Sequence, residues 1–324
     1  MSIKRTIKPN LEQEAPTIHA LFKKFMQEKQ AKNLAKISLR DYMQSYVFFM
    51  RDNKFGEKTL IERITQDVIN QWSLDMVSKG LKPSSINRYL RDIRTFVNWC
   101  VANEKLTEAI KFQMVKGQDE GIKSFPEQDI LLITKKPNNQ NNFTEWRTWT
   151  VIQWILATGN RCSTVCNVKL GDIDFRNKEI SLRHTKNKKA QVIPLSSTLE
   201  HVIKDYIRVW RHDASENDWL FPNTENGFLS PTALAQAFSK YCKARGSSHT
   251  NIHGLRHTFA LNYIRLGGNE FKLQKILGHK TLEMTRRYVD LVSVDLKEDF
   301  DKFSTLDALR KSCKPRKTIM REVV

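Results

Sequence analysis

Between His253 and Tyr288 the chain reads HGLRHTFALNYIRLGGNEFKLQKILGHKTLEMTRRY, and this run limits the fold more than any other. Leu255, Phe259, Ala260, Tyr263 and Ile264 recur at helical spacing, so its first part predicts an amphipathic helix. Gly267-Gly268 ends that helix, because glycine tolerates the left-handed turn at a helix C-terminus. A second short helix over about 270–277 stops at Gly278 by the same logic. Thr281 then predicts the N-cap of a third helix, which carries Met284 and Tyr288.

The residue types on these packed helices suit a phosphodiester. His253 and Arg256 are three apart and share a face near a helix start, where free backbone N–H groups favour an anion. Arginine offers a planar fork of donors to two phosphate oxygens. Histidine donates to phosphate or moves a proton near neutral pH. Tyrosine brings a hydroxyl that can act as a covalent nucleophile. Each residue alone has a plainer reading, a tyrosine at helical spacing being ordinary core; only their joint spacing points to chemistry.

Composition narrows the partner. Across 324 residues, 54 lysines and arginines face 35 aspartates and glutamates, a net charge of +19. Such an excess implies a polyanion, most simply nucleic acid. The length predicts two domains, each with its own core. Five cysteines, Cys100, Cys162, Cys166, Cys242 and Cys313, are odd in number and scattered, which implies reduced thiols in a cytoplasmic compartment. Cys162 and Cys166 lie too far from His253 and His257 for a zinc-finger module, so no metal is expected. No apolar run is long enough for a membrane span, and MSIKRTIKPN, charged with no apolar run behind it, leads us to expect no secretory signal.

In chain order, a polar N-terminus (1–15), expected to be mobile, precedes four helical patterns over about 17–32, 38–51, 65–80 and from 83 onward. They predict an antiparallel bundle over 16–104. A polar linker is expected at 105–125, and a second domain at 126–300. There a helix over about 144–158, rich in tryptophan, delivers Gly159-Asn160-Arg161. The period then switches to two, with Ile173 and Phe175, Ile180 and Leu182, and Val192, Ile193 and Leu195 marking three short strands. Their last turn holds Lys186, Lys188 and Lys189, among which the pattern alone does not choose. Helices follow at about 197–210 and 231–245, with a short strand expected at 218–222 between them. The fold class is mainly α (α+β): a helical bundle, then a mixed domain with a small three-stranded antiparallel sheet.

HGLRHTFA at 253–260, LGHK at 277–280 and Tyr288, nine residues after His279, resemble the tyrosine recombinases, the phage integrase family. ATGNRCSTVCNVKLGDID at 157–174 resembles that family's first arginine box, with Arg161 in the catalytic position. SLRHTKNKKAQVIPL at 181–195 resembles its lysine hairpin, with Lys186 in place. The resemblance covers about 126–290; the N-terminal third is similar to the family's core-binding domain in pattern only.

The resemblance implies a site-specific recombinase or integrase that cuts and rejoins DNA through a 3′-phosphotyrosine. Tyr288 would attack, Arg161 and Arg256 clamp the phosphate, and Lys186 protonate the leaving 5′ oxygen. His253 would help to move the tyrosine's proton, and His279 would hydrogen-bond the phosphate. No cofactor is implied. Lys82, Asn87, Arg88, Arg91 and Arg94 of the fourth helix, with Lys188 and Lys189, would contact double-stranded DNA. The chain would assemble as a homo-oligomer on DNA, a tetramer on paired sites, with the 301–324 tail exchanged between protomers. An accessory DNA-bending or directionality protein is a further expected partner. With the bundle pattern starting near residue 16, no arm-binding domain is expected. One position departs from the family: Thr164 stands where an acid is usual. That keeps open a DNA-binding regulator on the same fold, and a relaxer acting alone.

Overall fold

The computed structural model describes residues 16–117, 121–138, 142–183 and 190–292. The chain divides into two compact units, meeting at Asp119 and Glu120.

The first unit is a bundle of α1 (Ile18–Ala31), α2 (Lys36–Asp52), α3 (Gln66–Ser78) and α4 (Pro83–Ala102). Thr17 and Thr65 cap α1 and α3 through their hydroxyls, and Pro83 opens α4 where a missing N–H costs nothing. The α4 stripe of Ile86, Leu90, Ile93, Phe96, Val97 and Cys100 is fully buried. Aromatic rings fill the centre: Phe22 stacks on Tyr46 at 3.8 Å, and Phe25 meets Phe96 edge-on at 5.5 Å.

The segment expected as a linker behaves differently over its first half. Leu106, Ile110, Phe112 and Val115 pack on the bundle core. Asn87 bonds both backbone groups of Val115, donating to its carbonyl at 2.9 Å and accepting its N–H at 2.8 Å. Gln66 does the same for Lys111, with both distances 2.8 Å. Two amide side chains thus replace the sheet or helix partners that this extended strap lacks. Phe125, near the expected linker's other end, lies in the core of the second unit.

The second unit is built on α6 (Phe143–Thr158), buried along most of its length, with α5 (Glu127–Thr134), α8 (Ser197–Trp210), α9 (Pro231–Ala244) and α10 (Ile252–Arg265). Strands β1 (Ile173–Asp174), β2 (Glu179–Leu182) and β3 (Gln191–Pro194) form an antiparallel sheet in that order, with Ile180 opposite Ile193 and Leu182 opposite Gln191. β1 stops before Phe175, because the Asp174 carboxylate takes the N–H groups of Arg176 and Asn177 into a turn. The strand expected at 218–222 is reduced to a bridge between Lys169 and Trp219. Its partner segment coils into a 3₁₀ turn at Leu170–Asp172, so no ladder can extend.

After α10 come α11 (Glu270–Leu277) and α12 (Glu283–Val292). α12 begins later than expected: the Leu282 carbonyl, not Thr281, takes the first N–H groups, from Thr285 and Arg286. The tail at 301–324 and the loop holding Lys186, Lys188 and Lys189 lie outside the described residues. Among those described, no helix is long and apolar enough to cross a membrane.

Candidate active site

Arg161 is placed by the end of α6. Gly159 adopts φ +64°, and a side chain there would strike Phe259 at 2.4 Å and Leu277 at 2.7 Å. Asn160 is buried and accepts the Trp154 indole N–H at 2.9 Å. Arg161 then caps the short α7 (Cys162–Val165) and faces a cleft of about 630 Å³. Burial lowers its pKa.

Arg256 reaches the same cleft from α10, where the Asn251 side chain accepts the His253 N–H as N-cap. Only 3% of Arg256 is exposed. Nη1 donates to the Gly159 carbonyl at 2.7 Å; Nη2 donates to the Leu277 carbonyl at 2.9 Å and to His279 Nε2 at 2.8 Å. Burial first, then Arg161, pulls its pKa down to about 10, so it stays charged at neutral pH. Guanidinium nitrogens only donate. His279 Nε2 is therefore the acceptor, and its Nδ1 carries the proton toward the Thr285 hydroxyl at 2.8 Å. Burial, then Arg256 and Arg161, holds His279 down at about 4 and keeps it neutral.

The cleft is lined by Arg161, Arg256, Lys275 and Lys280, with Thr164, Gln191 and His279, and by no carboxylate among the described residues. Thr164 sits in the wall, buried, where the family's usual acid would stand. An unbalanced cationic pocket of this kind attracts an anion such as phosphate.

Tyr288 is 4% exposed and packs with Leu261, Leu273 and Leu277 beside this cleft. Its ring lies parallel to His279 at 6.3 Å. Its hydroxyl meets His257 Nδ1 at 2.9 Å. Burial raises its pKa, and Arg256, Arg161 and Arg287 pull the other way. His253 is exposed; its ring stands edge-on to His257, with centroids 4.7 Å apart. Sequence reasoning thus missed His257 and Thr285. Both carried a signal: His257 is four residues after His253, and Thr285 three before Tyr288, each on the same helix face as its neighbour.

On the first unit, Arg91 and Arg94 are exposed on α4, and Lys82 is exposed at its N-cap. Arg88 lies 3.7 Å from Asp41 and over the Tyr89 ring. Asn87 is half-buried and bonds both backbone groups of Val115.

The sequence profile described as the Phage integrase family matches residues 103–293. The tyrosine recombinase XerC of Bacillus subtilis is 28% identical over 277 residues, covering 83% of this chain and 90% of that protein. XerC of Staphylococcus aureus is 25% identical over 279 residues, covering 83% and 91%. Among solved structures, the Tn1549 transposon integrase in complex with a circular intermediate DNA superposes with a TM-score of 0.68 at 20% identity, over 84% of this chain and 94% of that one. A lambda integrase dimer bound to a core site gives 0.68 at 18% identity, over 83% and 97%. With the family match spanning more than half of its length, the chain belongs to the phage integrase family, the tyrosine-type recombinases.

Proposed function

We propose that this chain cuts and rejoins double-stranded DNA at specific sites, as an integrase-like recombinase, through a covalent 3′-phosphotyrosine at Tyr288. The observation that carries the reading is the cleft lined by Arg161, Arg256, Lys275 and Lys280, with no carboxylate among the described residues, next to the Tyr288 ring. A phosphodiester seated there meets guanidinium donors on its non-bridging oxygens, where charge develops in the transition state. The tyrosine oxygen attacks phosphorus and the bond to the 5′ oxygen breaks. Lys186, placed by resemblance, protonates that oxygen. The tyrosine's proton passes to the histidines of α10. The new phosphotyrosine keeps the free energy of the broken bond, so rejoining is the same step reversed.

Two further observations support a DNA substrate bound by several copies. The net charge is +19. The lambda integrase, similar in fold at a TM-score of 0.68, is described as a tetramer bound to a Holliday junction. The second reading, a DNA-binding regulator, is favoured by Thr164, which leaves the cleft without the usual acid.

The test is a denaturing gel for a covalent protein–DNA adduct on a nicked cognate site. Wild-type protein forms the adduct; Tyr288→Phe binds with the same affinity and forms none. Tight binding without adduct from the wild type supports the regulator.

A further inference from the structure

We infer that His257, rather than His253, is the first acceptor of the Tyr288 proton, and that the bound phosphate itself makes this imidazole basic. The inference rests on the transesterification reading and names one group within it.

Geometry selects the residue. His257 Nδ1 is 2.9 Å from the Tyr288 hydroxyl, and Tyr288 is 4% exposed, which leaves little access for bulk water. The other groups around that ring are poor acceptors. His279 uses Nε2 on Arg256 and Nδ1 on Thr285. Arg161, Arg256 and Arg287 carry only donors. His253 stands edge-on to His257 at 4.7 Å, placed to pass a proton outward once His257 has it.

The charge around His257 explains how the base is kept idle. It is faced by His253 and Arg256 from its own helix, by Tyr288 and Arg287 from α12, and by His279 from the turn before α12. None is an acid. Burial first, then His253, Arg256 and Arg287, pushes its pKa down to about 4. The ring is therefore neutral and able to accept, yet too weak a base to ionise a tyrosine whose own pKa is raised. A phosphodiester in the cleft brings a negative charge to Arg256 and Arg161. That charge offsets the cations that repel a proton from His257, so its pKa rises when substrate is in place. The nucleophile stays protonated in the free protein and is activated on DNA.

The step balances. The Tyr288 O–H bond breaks as its oxygen bonds phosphorus, and the proton moves to His257 Nδ1. The bond from phosphorus to the 5′ oxygen breaks, and that oxygen takes a proton from the acid. On rejoining, the 5′ hydroxyl releases its proton and His257 returns the other to the tyrosine oxygen.

The test uses the full chain and a nicked site whose leaving 5′ oxygen is replaced by sulfur, which needs no acid to depart. Adduct rates are compared for the wild type, His257→Ala, His257→Asn and His253→Ala from pH 5 to 9. Asparagine keeps a hydrogen-bonding group near Nδ1 but cannot take a proton. Both His257 variants are expected to lose about 10²-fold or more, with unchanged DNA affinity and no relief from sulfur. Added imidazole should restore part of the His257→Ala rate. His253→Ala should lose less than tenfold. In ring-labelled Tyr288→Phe protein, the His257 resonance should titrate near pH 4 alone and higher with DNA bound. A wild-type rate in His257→Asn, or a larger loss in His253→Ala, overturns the assignment. A His257 titration that DNA leaves unmoved overturns the phosphate trigger. Wild-type protein that binds but never forms adduct overturns the transesterification reading, and this inference with it.

Discussion

The two units of this chain bury different chemistry. Among the described residues, the one polar residue that the bundle buries whole is Ser45, whose hydroxyl donates to Asp92 at 2.6 Å; the Asp52 carboxylate is tucked against Arg51 and Lys79. The second unit buries Arg147, Asn160, Thr164, Asp172, Arg256, Thr258 and Thr285, among others. An apolar core is tolerant and cheap to specify, whereas each buried polar group needs its partner or costs stability. The bundle can therefore keep its cations outside for a ligand. The second unit also holds cations inside: Arg147 donates to the Pro222 carbonyl, Arg211 to the Trp219 carbonyl and the Asn226 amide oxygen, and Arg256 to two carbonyls and an imidazole. Where chemistry has to be placed to within an ångström, polar burial is the means.

That contrast is sharpest at Arg256. Arg256→Ala leaves the Gly159 and Leu277 carbonyls and His279 Nε2 without their donor. Adduct formation should fall by about 10²–10³-fold, the usual loss for a transition-state donor. Each orphaned acceptor that water cannot reach costs a further ~1–3 kcal/mol. Adduct rate and urea unfolding together check this; full stability with lost activity would mean that the guanidinium serves substrate alone.

The bundle should break in another way. Phe96→Ala removes a ring that meets Phe22 at 5.3 Å and Phe25 at 5.5 Å, and should cost about 3–5 kcal/mol. Below the lowered midpoint, the adduct rate at saturating DNA should stay within about threefold of wild type. A large drop in that rate would show that the units are not energetically separate in the way their interiors suggest.

Thr285→Val is the mildest test. It keeps the shape and removes the hydroxyl that His279 Nδ1 meets. Stability should fall by about 1 kcal/mol. Cleavage should fall about tenfold, because His279 loses the partner that fixes its tautomer, as when an orienting partner is removed from a metal-bound imidazole. Equal rates in the two proteins would mean that Arg256 alone orients the ring.

Much of this was readable in the sequence because helices advertise themselves. The α4 stripe and the glycines after α6, α10 and α11 mark elements by spacing alone. The sheet followed from the switch of period at Ile173. What escaped depends on partners distant in the chain. The bonds of Asn87 to Val115, 28 residues away, have no signature in local spacing. The strap's apolar residues have no period, so Leu106, Ile110, Phe112 and Val115 resembled a linker. His257 and Tyr288 are 31 residues apart, and no spacing rule joins them.

The feet of the β2–β3 hairpin have a separate consequence. Arg183 Nε lies 2.8 Å from the buried Asp172 carboxylate, an ion contact rather than an aligned hydrogen bond. Across the hairpin, Gln191 donates to the carbonyls of Lys275 and, at 3.0 Å, Ile276, at the end of α11. Both feet are thus anchored outside the hairpin itself. Gln191 thereby holds the last turn of α11, and the Leu277 carbonyl of that turn accepts from Arg256. A substitution that shifts β3 would therefore reach Arg256 without touching it.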